Sequence, residues 1–244
     1  VNASDAVERA LAGSPADAEK QELLKALTFS TSKDKDDTYK WNVNPPGYTP
    51  VPMYGEMAME GVVPGYLVSV SLTRMLARVD VENKVSGEVF QLEEIFLVNY
   101  NTSGYIAPKW DETTGVLVPD PYTANKNPMI PVPSGKQPGT EEAAMKYGYK
   151  QAANTPGALM AGKIYTYEAV KNVAADPKNG VCLVVKGKYR GEDYYYRVDF
   201  TRTAGEAADV ACMPLYRNHK YVVTITDAEG IGYKTLKEAL HASG

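Results

Sequence analysis

The chain of 244 residues, 44% hydrophobic and 23% charged, is long enough to bury a substantial core, and this balance excludes a disordered polymer. A formal net charge of −4 leaves no basic footprint for nucleic acid or an anionic membrane, and no apolar run reaches the roughly 20 residues that a membrane helix needs. Two cysteines are too few for a disulfide framework, and 18 Tyr against 4 Phe and 2 Trp favour strands with half-wet surfaces.

In chain order, the pattern first predicts two helices. Ser4 is placed to cap "DAVERAL", whose Val7, Ala10 and Leu11 share a face, and Gly13 is placed to stop it. Ser14 caps a second helix, with Pro15 in its first position, Asp17 in its first turn and an apolar stripe of Leu23, Leu24 and Leu27. Residues 31–65 read as a polar connector and a proline-rich edge strand. From residue 66 the period becomes two. Val68, Val70 and Leu72 alternate with small hydroxyls, and then the apolar set shifts phase to Met75, Ala77, Val79 and Val81, which predicts a bulge or a strand bending between sheets. A second run, "EVFQLEEIFLVNYN", changes phase in the same way around Glu93 and Glu94.

Residues 116–157 read as irregular, with six prolines between Pro119 and Pro138 breaking any ladder, followed by a short helix capped by Thr140. Residues 158–244 return to period two in "KIYTYEAV", "GVCLVVKGKY", "DYYYRVDF" and "KYVVTIT". The middle pair forms a predicted hairpin through Arg190, Gly191, Glu192 and Asp193, with Tyr194, Tyr196, Val198 and Phe200 on one face. The fold expected is mostly β, two antiparallel β-sandwich domains in tandem with a few short helices: a first domain over 1–157 with a helical start and a proline-rich loop, and a second over 158–244.

The motifs that could carry chemistry are poor. Gly230 and Gly232 lie between a strand and a helix, but a third glycine and a βαβ unit are missing, so a turn needing positive φ fits better than a phosphate loop, with Thr235 and Glu238 as a capping box. His219 is one of two histidines and stands among Arg217 and Lys220, cations that oppose the imidazolium a general base must become; a solvated strand end is the expected reading. The acidic "DKDD" run lacks the glycine and glutamate of a calcium loop, and adjacent Glu93 and Glu94 point to opposite strand faces. No catalytic, cofactor-binding or metal residues are therefore assigned, and no cofactor is expected. Cys182 and Cys212 are the candidate pair for a single bridge.

The series "VPMYGEM" (51–57), "VSLTRMLARVDV" (70–81), "IYTYEA" (164–169), "LVVKGKYRGEDYYYRVDF" (183–200), "PLYRNHKYVVTIT" (214–226) and "GIGYKTLKEAL" (230–240) resembles the fimbrillin family of Bacteroidales, the subunits and accessory proteins of type V pili. The resemblance implies transthyretin-like sandwich domains, export as a lipoprotein to the cell surface and outer membrane, and assembly with other fimbrial subunits by donor-strand exchange, with a host or bacterial surface ligand for an adhesive member. It also implies structural roles for Arg74, Arg78, Arg217, Asn218, Tyr221, Gly232 and Tyr233. The first strands and an export signal are expected upstream of Val1, and the stop at Gly244 departs from the shaft-subunit pattern toward a tip, accessory or truncated form. Two alternatives stay open: a glycan-binding module using Tyr195, the one tyrosine of the 194–196 run that alternation can expose, and an enzyme with a pocket in the proline-rich loop.

Overall fold

The computed structural model describes residues 2–30, 41, 49–57, 59, 61, 64–101, 103–107, 110–111, 116–117, 148–150, 159–169, 180–200, 213 and 215–242. Among these the chain is mostly β, with three short helices, α1 (Ser4–Ala12), α2 (Lys20–Ala26) and α3 (Leu236–His241). None of them is long and apolar enough to cross a membrane. The calcium-like acidic run, the 140–147 part of the expected helix, and Cys212 lie outside the described residues.

Besides the short antiparallel pairs β1 (Thr28–Phe29) with β6 (Gly104–Tyr105) and β7 (Trp110–Asp111) with β8 (Val116–Leu117), two sheets form the body. One has the order β10 (Leu159–Tyr167), β4 (Leu76–Asn83), β13 (Lys220–Ile225); the other has β12 (Glu192–Asp199), β11 (Cys182–Tyr189), β5 (Phe90–Val98), β9 (Gly148–Lys150). Both draw strands from either side of residue 157. Their facing residues meet in one core, in which Ala77, Val79 and Val81 of β4 and Leu92, Ile95 and Leu97 of β5 pack with Ile164, Leu183 and Val185. The antiparallel expectation holds for every pair in these sheets except one. β13 runs parallel to β4, from Lys220 opposite Arg78 to Ile225 opposite Asn83. Alternation alone carries no strand direction, so nothing in "KYVVTIT" could have shown this.

The phase changes in the sequence mark real breaks. Met75 separates β3 (Thr73–Arg74) from β4 and packs with Leu76 in a second apolar cluster around Phe29, Trp41 and Tyr167, while Ala77 onward turns into the main core. In β5 the register with β11 shifts so that Lys186 faces Glu94 and Gly187 faces Leu92, which leaves Glu93 as the extra residue of a bulge. The β11–β12 hairpin turns more tightly than expected: Glu192 and Asp193 already pair with Tyr189 and Lys188, and the loop is only Arg190 at φ 50° and Gly191 at φ 90°, the two left-handed residues that a tight primed turn requires.

The helices differ from expectation at their starts. The residue before α1 is Ala3, with no side-chain cap, and the Ser4 hydroxyl donates instead to Asp5 Oδ1 at 3.3 Å. Gly13 closes α1 in a right-handed conformation, φ −92°, so its freedom to go left-handed is not used. Pro15 opens only a turn, in which the Ala18 N–H reaches the Pro15 carbonyl at 3.0 Å, and α2 starts five residues later at Lys20. Residues 148–150, expected as helix, form β9 against β5, where tertiary pairing overrides local preference. The capping box of α3 is present as read: Thr235 Oγ1 accepts from the Glu238 N–H at 3.2 Å and the Glu238 carboxylate accepts from the Thr235 N–H at 3.1 Å. α3 lays Leu236, Ala239 and Leu240 over Phe96, Val98, Cys182 and Val184, covering the outer face of the larger sheet.

Candidate functional site

Arg217, Asn218 and Tyr221 lie together at the start of β13, and Arg74, Arg78, Gly232 and Tyr233 lie apart from them in the sequence. Arg217 is 2% exposed and donates through Nη2 to Glu168 Oε2, through its backbone N–H to Glu168 Oε1 at 3.0 Å, and through Nη1 to the Ile106 carbonyl at 3.4 Å. The expected solvated strand end is thus wrong for this residue, because a buried carboxylate neutralises the guanidinium where the two apolar clusters meet. Asn218 takes φ 60° and its N–H bonds the Leu76 carbonyl at 2.9 Å, so the turn ties into the first residue of β4. The His219 ring packs between Tyr216 and Tyr221, with Nδ1 2.8 Å from the Arg217 carbonyl. The Tyr221 hydroxyl accepts from the Tyr216 N–H at 2.8 Å. Arg217, Asn218, His219 and Tyr221 therefore form one knot, which sequence proximity suggested but whose anchor, Glu168, it did not.

Arg78 and Arg74 separate. Arg78 grips Asp80 with two bonds of 2.7 and 2.8 Å, and Asp80 Oδ1 also accepts from the Gly162 N–H at 2.9 Å. Gly162, at φ 65°, sits in the β10 bulge between Met160 and Ile164. Burial pushes the Asp80 carboxyl up, but the Arg78 and Gly162 bonds outweigh it and hold the group below its ordinary value. Arg74 instead lies exposed in β3, opposite Met53 of β2 (Met53–Tyr54). The Gly232 position needs space and not positive φ: a Cβ there would lie 2.6 Å from the Tyr195 carbonyl, and Tyr233 and Tyr195 exchange backbone bonds of 2.9 Å each way. Cys182 is fully buried beneath α3. Tyr195 is half-buried against Phe96 at 6.4 Å, so the tyrosine singled out for glycan binding belongs to the packing under α3. Unpredicted in the sequence is Arg197, which pairs with Asp199 at 2.9 Å and donates to the Leu240 carbonyl at 2.8 Å, fixing the end of α3 to β12.

Two features are left without internal use among the described residues. The first is the flank where β12 and β13 end their sheets on the same side of the sandwich. Phe200 meets Tyr221 edge to face with ring centres 6.1 Å apart, and the Tyr196 hydroxyl donates to the Gly230 carbonyl at 3.1 Å. Tyr196, Val198, Tyr221, Val223 and Ile225 pack against the core but stay only partly buried, whereas Val79, Val81 and Leu183 behind them are fully covered. The Arg78 N–H bonds the His219 carbonyl and the Lys84 N–H bonds the Ile225 carbonyl, both at 2.9 Å. By the parallel pattern, Tyr221, Val223 and Ile225 turn their backbone groups to β4, and Lys220, Val222 and Thr224 turn theirs outward.

The second is an exposed arm of residues 64–72. It is rooted by β2–β3 pairing and by the Met75 N–H on the Pro52 carbonyl at 3.0 Å. Beyond that root, residues 66–72 are exposed throughout, with Leu67 at 95% and Val68, Val70 and Leu72 all open to solvent. A globular domain seldom leaves so many large apolar side chains of one short segment uncovered.

No family model matches the chain, and no curated protein matches it. Among solved structures it is similar to the tip fimbrial protein Mfa3 of Porphyromonas gingivalis with a C-terminal truncation, at 18% identity and a TM-score of 0.38, covering 66% of this chain and 50% of that one. It is also similar to a candidate cell adhesion protein of Bacteroides eggerthii, at 15% identity and a TM-score of 0.48, covering 96% of this chain and 71% of that one. A candidate cell adhesion protein of Bacteroides uniformis has 12% identity and a TM-score of 0.31, covering 64% and 47%. The chain thus spans about half the length of the first and third of these structures.

Proposed function

We propose that the chain is a structural subunit of a cell-surface fimbria or adhesive filament, exported to the outer membrane, which joins other subunits by taking an added β-strand on the flank between β12 and β13. The observation that carries this reading is β13, a parallel edge strand with outward backbone groups above core residues that remain half-covered. An open edge over an incomplete core is an aggregation hazard for a monomer and a joint for a polymer. The ordered sequence motifs of the fimbrillin type support the same reading. The role proposed is a structural one, and it fits the placement of His219, whose ring packs between Tyr216 and Tyr221 with Nδ1 against the Arg217 carbonyl.

The test uses the outward N–H of Val222. A proline there removes no bond to β4, because that N–H faces away from it, but it blocks an incoming strand. Surface filaments sheared from cells and run without boiling are expected to give a ladder or high-mass smear that collapses on boiling, and Val222→Pro is expected to leave monomer. Val222→Lys keeps the N–H and places a charge at the joint, so it serves as a second variant. A ladder unchanged by both substitutions would sink the flank as the joint.

A further inference from the structure

Resting on that reading, we infer that the strand added to the β12–β13 flank is residues 66–72 of a second copy of this chain. Three observations lead there. The first is composition: in "YLVSVSL" Val68, Val70 and Leu72 alternate with Ser69 and Ser71 at period two, with Leu67 alone out of phase, as a strand half-buried on a sheet edge requires, yet these residues form no strand of their own fold. The second is fit. The segment is seven residues long against the six of β13, which at about 3.3 Å per residue spans the whole edge. Neither residues 64–73 nor residues 221–226 carry a charge, so no ion is desolvated when the two meet.

The third is geometry, which rules out the protein's own flank. Residues 66–72 lead through β3 directly into β4, and β13 runs parallel to β4 with Lys220 level with Arg78. The segment therefore lies beyond the end of the sheet at which β13 begins. To reach the outer edge of β13 the chain would have to reverse around residue 75. That turn is not open to it: Thr73 and Arg74 are paired with Tyr54 and Met53, and Met75 is buried and bonded to Pro52. Gly55 adds a further restraint, since even a Cβ there would lie 2.4 Å from the Ser71 carbonyl and 2.8 Å from Val70 Cγ1. An arm that cannot fold back and cannot stay exposed is completed by a neighbour. The contact is head-to-tail, because arm and flank are different surfaces, and it propagates into a filament.

The experiment presents the arm as a labelled peptide of residues 65–73 to the whole chain carrying Val68→Asp and Val70→Asp, so that the protein's own arm does not compete. Fluorescence anisotropy is expected to show saturable binding, weakened at least tenfold when the receptor also carries Val222→Pro or when the peptide carries the two aspartates. Absence of saturable binding, or binding indifferent to Val222→Pro, overturns the assignment of the arm. The unboiled ladder separates this from failure of the filament reading. A ladder lost with Val222→Pro but kept with the charged arm overturns only the arm as donor, and a ladder kept in both overturns the flank and the arm together.

Discussion

Arg217 shows what a buried charge does in this protein. Its guanidinium and the Glu168 carboxylate are both nearly inaccessible, and each is the other's counter-ion at the meeting of the two apolar clusters. Such a pair adds little over a well-packed apolar pair, but removing one partner strands the other without a charge to balance it. Arg217→Ala is therefore expected to cost about 3–5 kcal/mol, which for a chain of this size lowers Tm on the order of 10 °C. Arg217→Ala combined with Glu168→Gln is expected to recover part of that loss, because the uncompensated carboxylate is gone. Thermal denaturation of the two variants and the parent decides the matter; equal Tm values for parent and Arg217→Ala would refute the account. The sequence indicated that Arg217 is structural but not why, since its partner lies 49 residues away on a stretch with no mark of its own.

At the scale of elements, the places where the apolar phase slips were legible because a bulge inserts one residue and inverts the alternation after it. Glu93 in β5 and Met75 before β4 were visible in this way. The β10 bulge was not, because Met160, Ala161, Gly162 and Lys163 give too little contrast to show a phase. It is held instead by Asp80, which joins the bulge N–H of Gly162 to Arg78. This carboxylate sits below its ordinary value, so it contributes stability that is fully present above the unfolded value near 3.9 and is lost as pH falls through the lower folded value. Asp80→Asn is expected to be less stable than the parent at neutral pH and to narrow that gap as pH drops below about 4. Tm measured from pH 7 to pH 2 tests this, and parallel profiles for the two proteins would contradict it. Helix starts were read less well: Ser4 and Ser14 have the residue type of a cap and Pro15 that of a first helical position, but only the Thr235 box, where two side chains act reciprocally, was decisive.

For the molecule as a whole, β10 and β13 flank β4 while β11 lies between β5 and β12, so the strands before and after residue 157 complete one another's sheets. Periodicity reports which residues face inward but not which strand they face, and long-range partners such as Arg78 with Lys220 leave no local trace. The shared core has a consequence for folding. A chain of residues 158–244 alone would keep the β11–β12 hairpin and α3 but would lose β4 from between β10 and β13 and β5 from beside β11, uncovering Ile164, Leu183 and Val185. A two-stranded hairpin with one short helix is marginal in water. Expressed separately, residues 1–157 and 158–244 are each expected to lack a cooperative thermal transition, whereas the full chain unfolds in one step and its two fragments, refolded together, recover it in part. Circular dichroism and calorimetry of the fragments, singly and mixed, are the measurements. A sharp independent transition in the 158–244 fragment would mean that the interleaved strands are not energetically coupled, and the half-covered flank beside β13 would then have to be explained by that fragment alone.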